Sequence, residues 1–331
     1  MRRDGPSGTL SLAELYAPIA TELAESQRRL ADELLSDQGF ISDLGRHVRQ
    51  FGGKQLRPAL LLLAGRAGGE LRPEHPTLAA VVELVHLATL VHDDVLDEAD
   101  IRRRAATVNR LWGNERAVLL GDYLYSHAFA LCSSLDTPLA ARLIGQTAVT
   151  VCEGEMMQVA RRGVLDLTEA DYLDIIRRKT AALVETCCHL GALYAGAAGE
   201  AVTRLREYGR ALGMAFQIID DLLDLIGDEA EVGKSLGRDV DEGELTLPII
   251  HFLRSAGPAG RTGLLAALRT PDATRPRRVA ALLRDSDSIA YAHRVAAEYV
   301  AAARRALLDL PPSPARESLS AMADFVLARR Q

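Results

Sequence analysis

The chain has 331 residues, 48% of them hydrophobic, and a formal net charge of −6 at neutral pH. Its length alone allows two or three domains, the apolar share supports a large core, and the acidic balance argues against nucleic acid as a main partner. Aromatics make up 5%, Ala and Leu are abundant, and no regular apolar–polar alternation is bounded by turn signals, which predicts helices and excludes a large sheet.

Residues 1–10, MRRDGPSGTL, read as a flexible leader without the apolar centre of a secretory signal. No uncharged apolar run reaches bilayer-spanning length, so a cytoplasmic chain is expected, touching a membrane surface only to release an apolar product. Residues 10–35 read as an amphipathic helix with Ser11 as candidate N-cap. FGGKQLRP (51–58) is a Gly-rich basic break, and ALLLLAGRAGG (59–69) is a short helix closed by glycines. A long apolar helix is predicted over 77–98, another over 117–135, and a third over 138–161. Residues 167–196 contain at least one further helix, and 202–227 form another, stopped at Gly227. DEAEVGKSLGRDVDEGELTL (228–247) is a charged loop, and the last third is helical pieces between Pro- and Gly-rich loops. No long linker divides the chain, so one domain over 1–331 is expected. Cys132, Cys152, Cys187 and Cys188 form no C-x-x-C pair and are expected as reduced core thiols.

The long helix ends in LVHDDVLDEADIRRR (90–104), an odd finish for an apolar run. Carboxylates at the end of a core helix cost free energy unless something positive binds them. Spacing i, i+1, i+4 puts Asp93 and Asp97 on one helix face about 6 Å apart, with Asp94 beside them. His86, seven residues earlier, extends that stripe. FQIIDDLLD repeats the spacing at Asp220, Asp221 and Asp224, with Gln217 three residues before. One such motif reads equally as a solvated helix end. Two of them, each set in an apolar helix, suit a hard cation, and magnesium prefers a few carboxylates plus phosphate oxygens. Basic residues match this: Lys54 and Arg57 after Gly52 and Gly53, then Arg102 and Arg103, Lys179 beside Thr180, and Lys234. Gly52 and Gly53 would let a backbone approach phosphate, but the spacing is not that of a P-loop.

GGKQLRP, HLATLVHDDVLDEADIRRRAATVN, GDYLYSHAF, RRKTAALVETC, FQIIDDLLD and GKSLGRDVDEGELTLP occur in the order found in trans-prenyl diphosphate synthases. Over roughly residues 45–255 the chain resembles that family, and most of all its bacterial polyprenyl members. The resemblance implies an all-α bundle around a deep central cavity, a homodimer, and head-to-tail condensation of isopentenyl diphosphate with an allylic diphosphate. Asp93, Asp94, Asp97 and Asp220, with Asp221 and Asp224 in support, would bind Mg2+, three ions with substrate present. Lys54, Arg57, His86 and Arg103 match positions that hold isopentenyl diphosphate. Arg102, Lys179, Lys234, Gln217 and Thr180 match positions around the allylic substrate, and Ala88 and Thr89 stand where product length is set.

Two residues depart from the family pattern: Arg104 replaces a Gly after the arginine pair, and Glu244 replaces a Lys before TLP. A carboxylate at 244 is expected to oppose diphosphate binding. The rival readings are a shorter-chain synthase, a class I terpene cyclase, a non-catalytic subunit of a heteromeric synthase, and a metal phosphohydrolase. The second DDxxD and the basic group at Lys54, Arg57 and His86 speak for the synthase.

Overall fold

Long stretches without Gly or Pro leave the backbone free to close i→i−4 bonds, and burial of one apolar face then holds each helix in place. The computed structural model describes residues 11–103, 105–227 and 236–329. In chain order the helices are α1 (Leu12–Tyr16), α2 (Ala20–Glu33), α3 (Gly39–Val48), α4 (Leu56–Gly68), α5 (Glu74–Leu96), α6 (Val108–Trp112), α7 (Asn114–Ser133), α8 (Leu139–Arg161), α9 (Glu169–Ile176), α10 (Ala182–Tyr194) and α11 (Gly199–Ile226). They continue as α12 (Arg238–Asp241), α13 (Leu247–Ser255), α14 (Pro258–Arg269), α15 (Arg275–Arg284), α16 (Ser288–Ala306) and α17 (Pro314–Ala328). The strands among the described residues are β1 (Ile101–Arg102) and β2 (Ala105–Ala106), paired antiparallel. The expected all-α class holds. No described helix is long and apolar enough to cross a membrane.

Local chemistry accounts for the boundaries. Ser11 and Glu14 form the capping box of α1, and Pro18 turns the predicted first helix into α1, a 3-10 turn and α2. Thr168 and Asp171 form the box that starts α9. α5 stops at Leu96, so Asp97 caps the helix instead of lying within it. α3 lies in a stretch where the sequence predicts no element, and the segment expected to hold at least one helix holds two, α9 and α10. Between those two helices Arg177–Ala181 winds as a π turn, which shifts the register of the side chains that follow.

The chain gathers into two compact units. The first comprises Met1–Ala148, Leu183–Gly209 and Arg304–Phe325. Its centre is α5, packed against α2, α4 and α7 and buried almost without break from His75 to Ala88. Gly191 lets α10 close on the Leu61 carbonyl of α4, where a Cβ would collide. The Tyr208 hydroxyl, fully buried, donates to Leu319 O at 2.8 Å. The second unit comprises Val149–Ala182, Arg210–Ala303 and Val326–Gln331. There α13 packs on α9, α14 and α15, and Gly154 of α8 brings that helix against the backbone of Lys179.

Candidate active site

In the first unit, α5 delivers His86 and the first acidic motif. Asp93 is half-buried, and Asp94 is 1% exposed. Beyond Asp97 the chain reverses, with Glu98 and Arg103 both at positive φ, and Ala99 N donates to Asp94 O at 2.9 Å. The hairpin returns Arg102 onto its own helix end, where Nε donates to Asp94 Oδ1 at 2.7 Å. His47 pins that hairpin, its Nε2 lying 2.7 Å from Ala106 O and its ring edge-on to Phe51 and Trp112.

Arg103 turns the other way. Its guanidinium donates to Phe51 O and lies where a Cβ on Gly53 would stand. The basic loop is thereby tied to the residue after Arg102. Tyr16 donates to Lys54 O at 2.8 Å, and Lys54 Nζ lies 5.5 Å from the centre of the Phe325 ring. His86 feels Arg57, Arg103 and Arg102. Burial, with those three charges, holds it far below the usual histidine range, so it is neutral at pH 7 and offers one N–H. Arg57, His86 and Arg103, from three separate segments, thus lie within electrostatic reach of one another in this unit, with Lys54 on the loop that Arg103 contacts. Glu83 lies among them, unforeseen; it is the single acidic residue in the apolar run before His86, and that oddity was the available signal. Thr89 donates to His86 O at 2.7 Å, and Ala88 is fully buried.

In the second unit, α11 carries the second motif. Thr180 Oγ1 donates to Gln217 Oε1 at 2.7 Å, Gln217 Nε2 donates to Asp221 Oδ1 at 2.7 Å, and Tyr172 OH donates to Asp221 Oδ2 at 2.6 Å. Burial pushes the Asp221 carboxyl up to about 7 against the pull of those two hydrogen bonds. Asp224 faces the chain that follows: its carboxylate accepts from Asp239 N at 3.1 Å and its carbonyl from Gly237 N at 2.7 Å. Asp220 lies 3.2 Å from the Arg329 guanidinium, which stacks 4.4 Å over Phe216. The π turn presents Lys179 and Thr180, and Lys179 Nζ pairs with Glu155 Oε2 at 2.8 Å. Lys234 and Arg104 lie outside the described residues. Among the cysteines, Cys132, Cys187 and Cys188 are buried as expected, but Cys152 is exposed on α8, a correction to its placement in the core.

Among the described residues no three His, Cys, Asp or Glu side chains converge closely enough to enclose an ion unaided. The donor set still fits a hard cation. Asp94 and Asp220 each already draw a guanidinium, and the carboxylates supply oxygen ligands of the kind magnesium completes with phosphate oxygens and water.

Glu244 stands in the loop between α12 and α13, but its side chain turns inward. Its carboxylate accepts from Arg162 Nε at 3.1 Å and from Gln158, and it feels Lys179. Glu244→Lys would therefore gather three cations at a side chain only 12% exposed, and it should cost about 2 kcal/mol or more in stability. The check is a thermal melt: Glu244→Lys should melt several degrees lower, and Arg162→Glu added to it should recover most of the loss. An unchanged melt in the single variant would mean the pair contributes nothing.

A family model described as polyprenyl synthetase matches residues 38–285. The octaprenyl diphosphate synthase of Escherichia coli K12 is 35% identical over 321 residues, covering 97% of this chain and 99% of that one. The nonaprenyl diphosphate synthase of Mycobacterium tuberculosis is 39% identical over 313 residues, covering 93% and 90%. The crystal structure of a polyprenyl synthase from Caulobacter crescentus, complexed with calcium and isoprenyl diphosphate, matches with a TM-score of 0.93 at 34% identity, covering 98% of this chain and all of that one. The resemblance carried by the motifs is borne out, and the match extends beyond both ends of the region they span.

Proposed function

The chain belongs to the polyprenyl synthetase family, and from that premise we propose that it is a long-chain, all-trans polyprenyl diphosphate synthase acting as one catalytic domain. Its reaction joins isopentenyl diphosphate head to tail to an allylic diphosphate. The observation that carries this reading is the gathering of Arg57, His86 and Arg103 beside the Lys54 loop, in the same unit as the first acidic motif. A terpene cyclase consumes a single diphosphate and gains nothing from a second basic receiver. A phosphohydrolase would need further histidine ligands, which the described residues do not supply.

Asp93, Asp94 and Asp97 would hold magnesium at the first motif, and Asp220, supported by Asp221 and Asp224, would hold it at the second. Magnesium held there would supply positive charge to neutralise the diphosphate leaving group. The remaining work falls to the chain itself. Lys179, Arg102 and Lys234 stabilise the departing allylic diphosphate. Thr180 and Gln217, held in place by the bond between them, turn polar atoms toward the allylic cation. Lys54, Arg57, His86 and Arg103 orient isopentenyl diphosphate so that its double bond attacks. The new bond leaves a tertiary cation, which loses a proton to the released diphosphate and regenerates an allylic diphosphate five carbons longer. No side-chain nucleophile is required.

The functional partner is a second copy of the chain. α8 turns Val149, Cys152, Met156 and Val159 outward at helical spacing, with Val149 60% and Met156 63% exposed, and α7 exposes Leu119 and Phe129. Apolar stripes of this kind on long helices are faces to be covered. The test combines two measurements on one preparation. Incubation with magnesium, isopentenyl diphosphate and a short allylic diphosphate should give an elongated diphosphate by mass spectrometry, and sedimentation velocity should show a dimer. A cyclic hydrocarbon, free prenyl alcohol or unchanged substrate would each sink the synthase reading. A monomer would sink the homodimer, and activity only after adding a different chain would point to a heteromeric subunit.

A further inference from the structure

Glu83 is a carboxylate where the proposed function calls only for cations. It lies on α5, one turn before His86, and is 3% exposed. Arg57 and Arg103 act on it directly, while burial opposes its ionised form. A negative charge beneath an anion receiver weakens binding by simple Coulomb repulsion, and a buried ion pair seldom adds stability over an apolar side chain of similar size. Neither affinity at first order nor packing accounts for it.

Its hydrogen bond to Gln55 does. Gln55 Nε2 donates to Glu83 Oε1 at 3.0 Å. Gln55 is the residue that turns the basic loop into α4, and it does so in the left-handed region at φ 52°, ψ 37°. A non-glycine residue there costs about 1–2 kcal/mol and persists only where its surroundings hold it. As N-cap it makes no side-chain cap bond to α4; its amide is committed to Glu83 instead. Lys54 immediately precedes this turn, Arg57 follows two residues later, and Tyr16 secures the Lys54 carbonyl from the other side.

We propose that Glu83 is a positioning residue: through Gln55 it fixes the left-handed turn that aims Lys54 and Arg57 at isopentenyl diphosphate. Setting the geometry beforehand lowers the cost of ordering basic side chains around an incoming diphosphate. The inference rests on the synthase reading, and its test separates the two.

Michaelis constants for both substrates, turnover at saturation and melting temperature would be measured for wild type, Glu83→Ala, Glu83→Gln, Gln55→Leu and the Glu83→Ala/Gln55→Leu double variant. Glu83→Ala should raise the constant for isopentenyl diphosphate about tenfold, leave the allylic constant within about twofold, and largely keep turnover at saturation. Glu83→Gln retains an acceptor oxygen of the same reach and should recover most of the loss. Gln55→Leu should match Glu83→Ala, and the double variant should be no worse than either, because both act through one bond. Equal rises in both constants with a lower melt would make Glu83 merely structural and overturn the proposal. A Glu83→Gln as impaired as Glu83→Ala, or additive losses in the double variant, would also overturn it. Should Glu83→Ala not fold, an unchanged Gln55→Leu refutes the proposal alone. Wild type that makes no elongated product would refute the synthase reading instead. Calorimetry with inorganic diphosphate would then decide on Glu83: weaker binding by Gln55→Leu than by wild type supports it, and equal binding or none removes it.

Discussion

Asp93→Ala and Asp220→Ala should each lower turnover about a thousandfold or more, equivalent to roughly 4 kcal/mol of transition-state stabilisation, while the fold survives. The two halves of that expectation have separate causes. In the proposed reaction charge grows on the departing diphosphate, and losing a carboxylate that would hold a neutralising cation would leave that charge exposed. Stability depends on what the carboxylate touches in the protein alone. Asp220 is 41% exposed at its side chain and faces Arg329 at 3.2 Å, a half-solvated pair worth about 0–1 kcal/mol. Removing Asp93 also relieves repulsion beside Asp94 and Asp97. Thermal melts should thus move by no more than a few degrees while product formation all but vanishes. Near-normal turnover in either variant would remove the two-motif mechanism. Collapse of the melt together with activity would assign these residues to folding.

Ala88→Phe should shift the product from a long chain toward about fifteen to twenty carbons, because a ring at that position shortens the path open to a growing tail; overpacking at such a site costs about 1–3 kcal/mol, which a chain of this size withstands. Ala88 is fully buried on α5, one turn and a residue before Asp93, with Leu84 and Val85 buried a turn earlier. The early condensations should keep their rate, because the basic cluster and both acidic motifs are untouched. Product analysis by mass spectrometry, with a melt to establish folding, checks the expectation. A folded, active Ala88→Phe whose products match wild type would mean that Ala88 serves only the close packing of α5. Wild-type products ending at fifteen carbons would overturn the long-chain reading and leave the reaction class intact.

Much of the chemistry was legible before any coordinates. The two acidic motifs stand out because charge in an apolar helix needs a reason, and helical spacing alone puts Asp93 near Asp97 and Gln217 near Asp221. The basic residues were legible individually and weak individually. What joins Arg57, His86 and Arg103 is packing between segments tens of residues apart, and no local pattern encodes it. α3 went unread because its glycines, Gly39 and Gly45, are poor helix formers; Gly45 is kept because it passes the Leu34 carbonyl too closely for any Cβ. The π turn at Arg177–Ala181 was equally hidden, since its residues suit an ordinary helix and the close approach of Gly154 becomes visible only in the fold.

The helical class, the family and the identity of the carboxylates and cations are readable from the chain alone, because they follow from spacing and residue type along one segment. What each charge does with its neighbours is set by packing. It set Arg102 on Asp94, Arg329 on Asp220 and Arg162 on Glu244. It turned Asp224 toward the backbone at Gly237 and Asp239, and it placed Glu83 beneath the basic loop. The physical reason is range: backbone hydrogen bonding and helical periodicity act over a few residues, whereas the partner of a buried charge is chosen by whichever distant segment packs closely enough to exclude water from both.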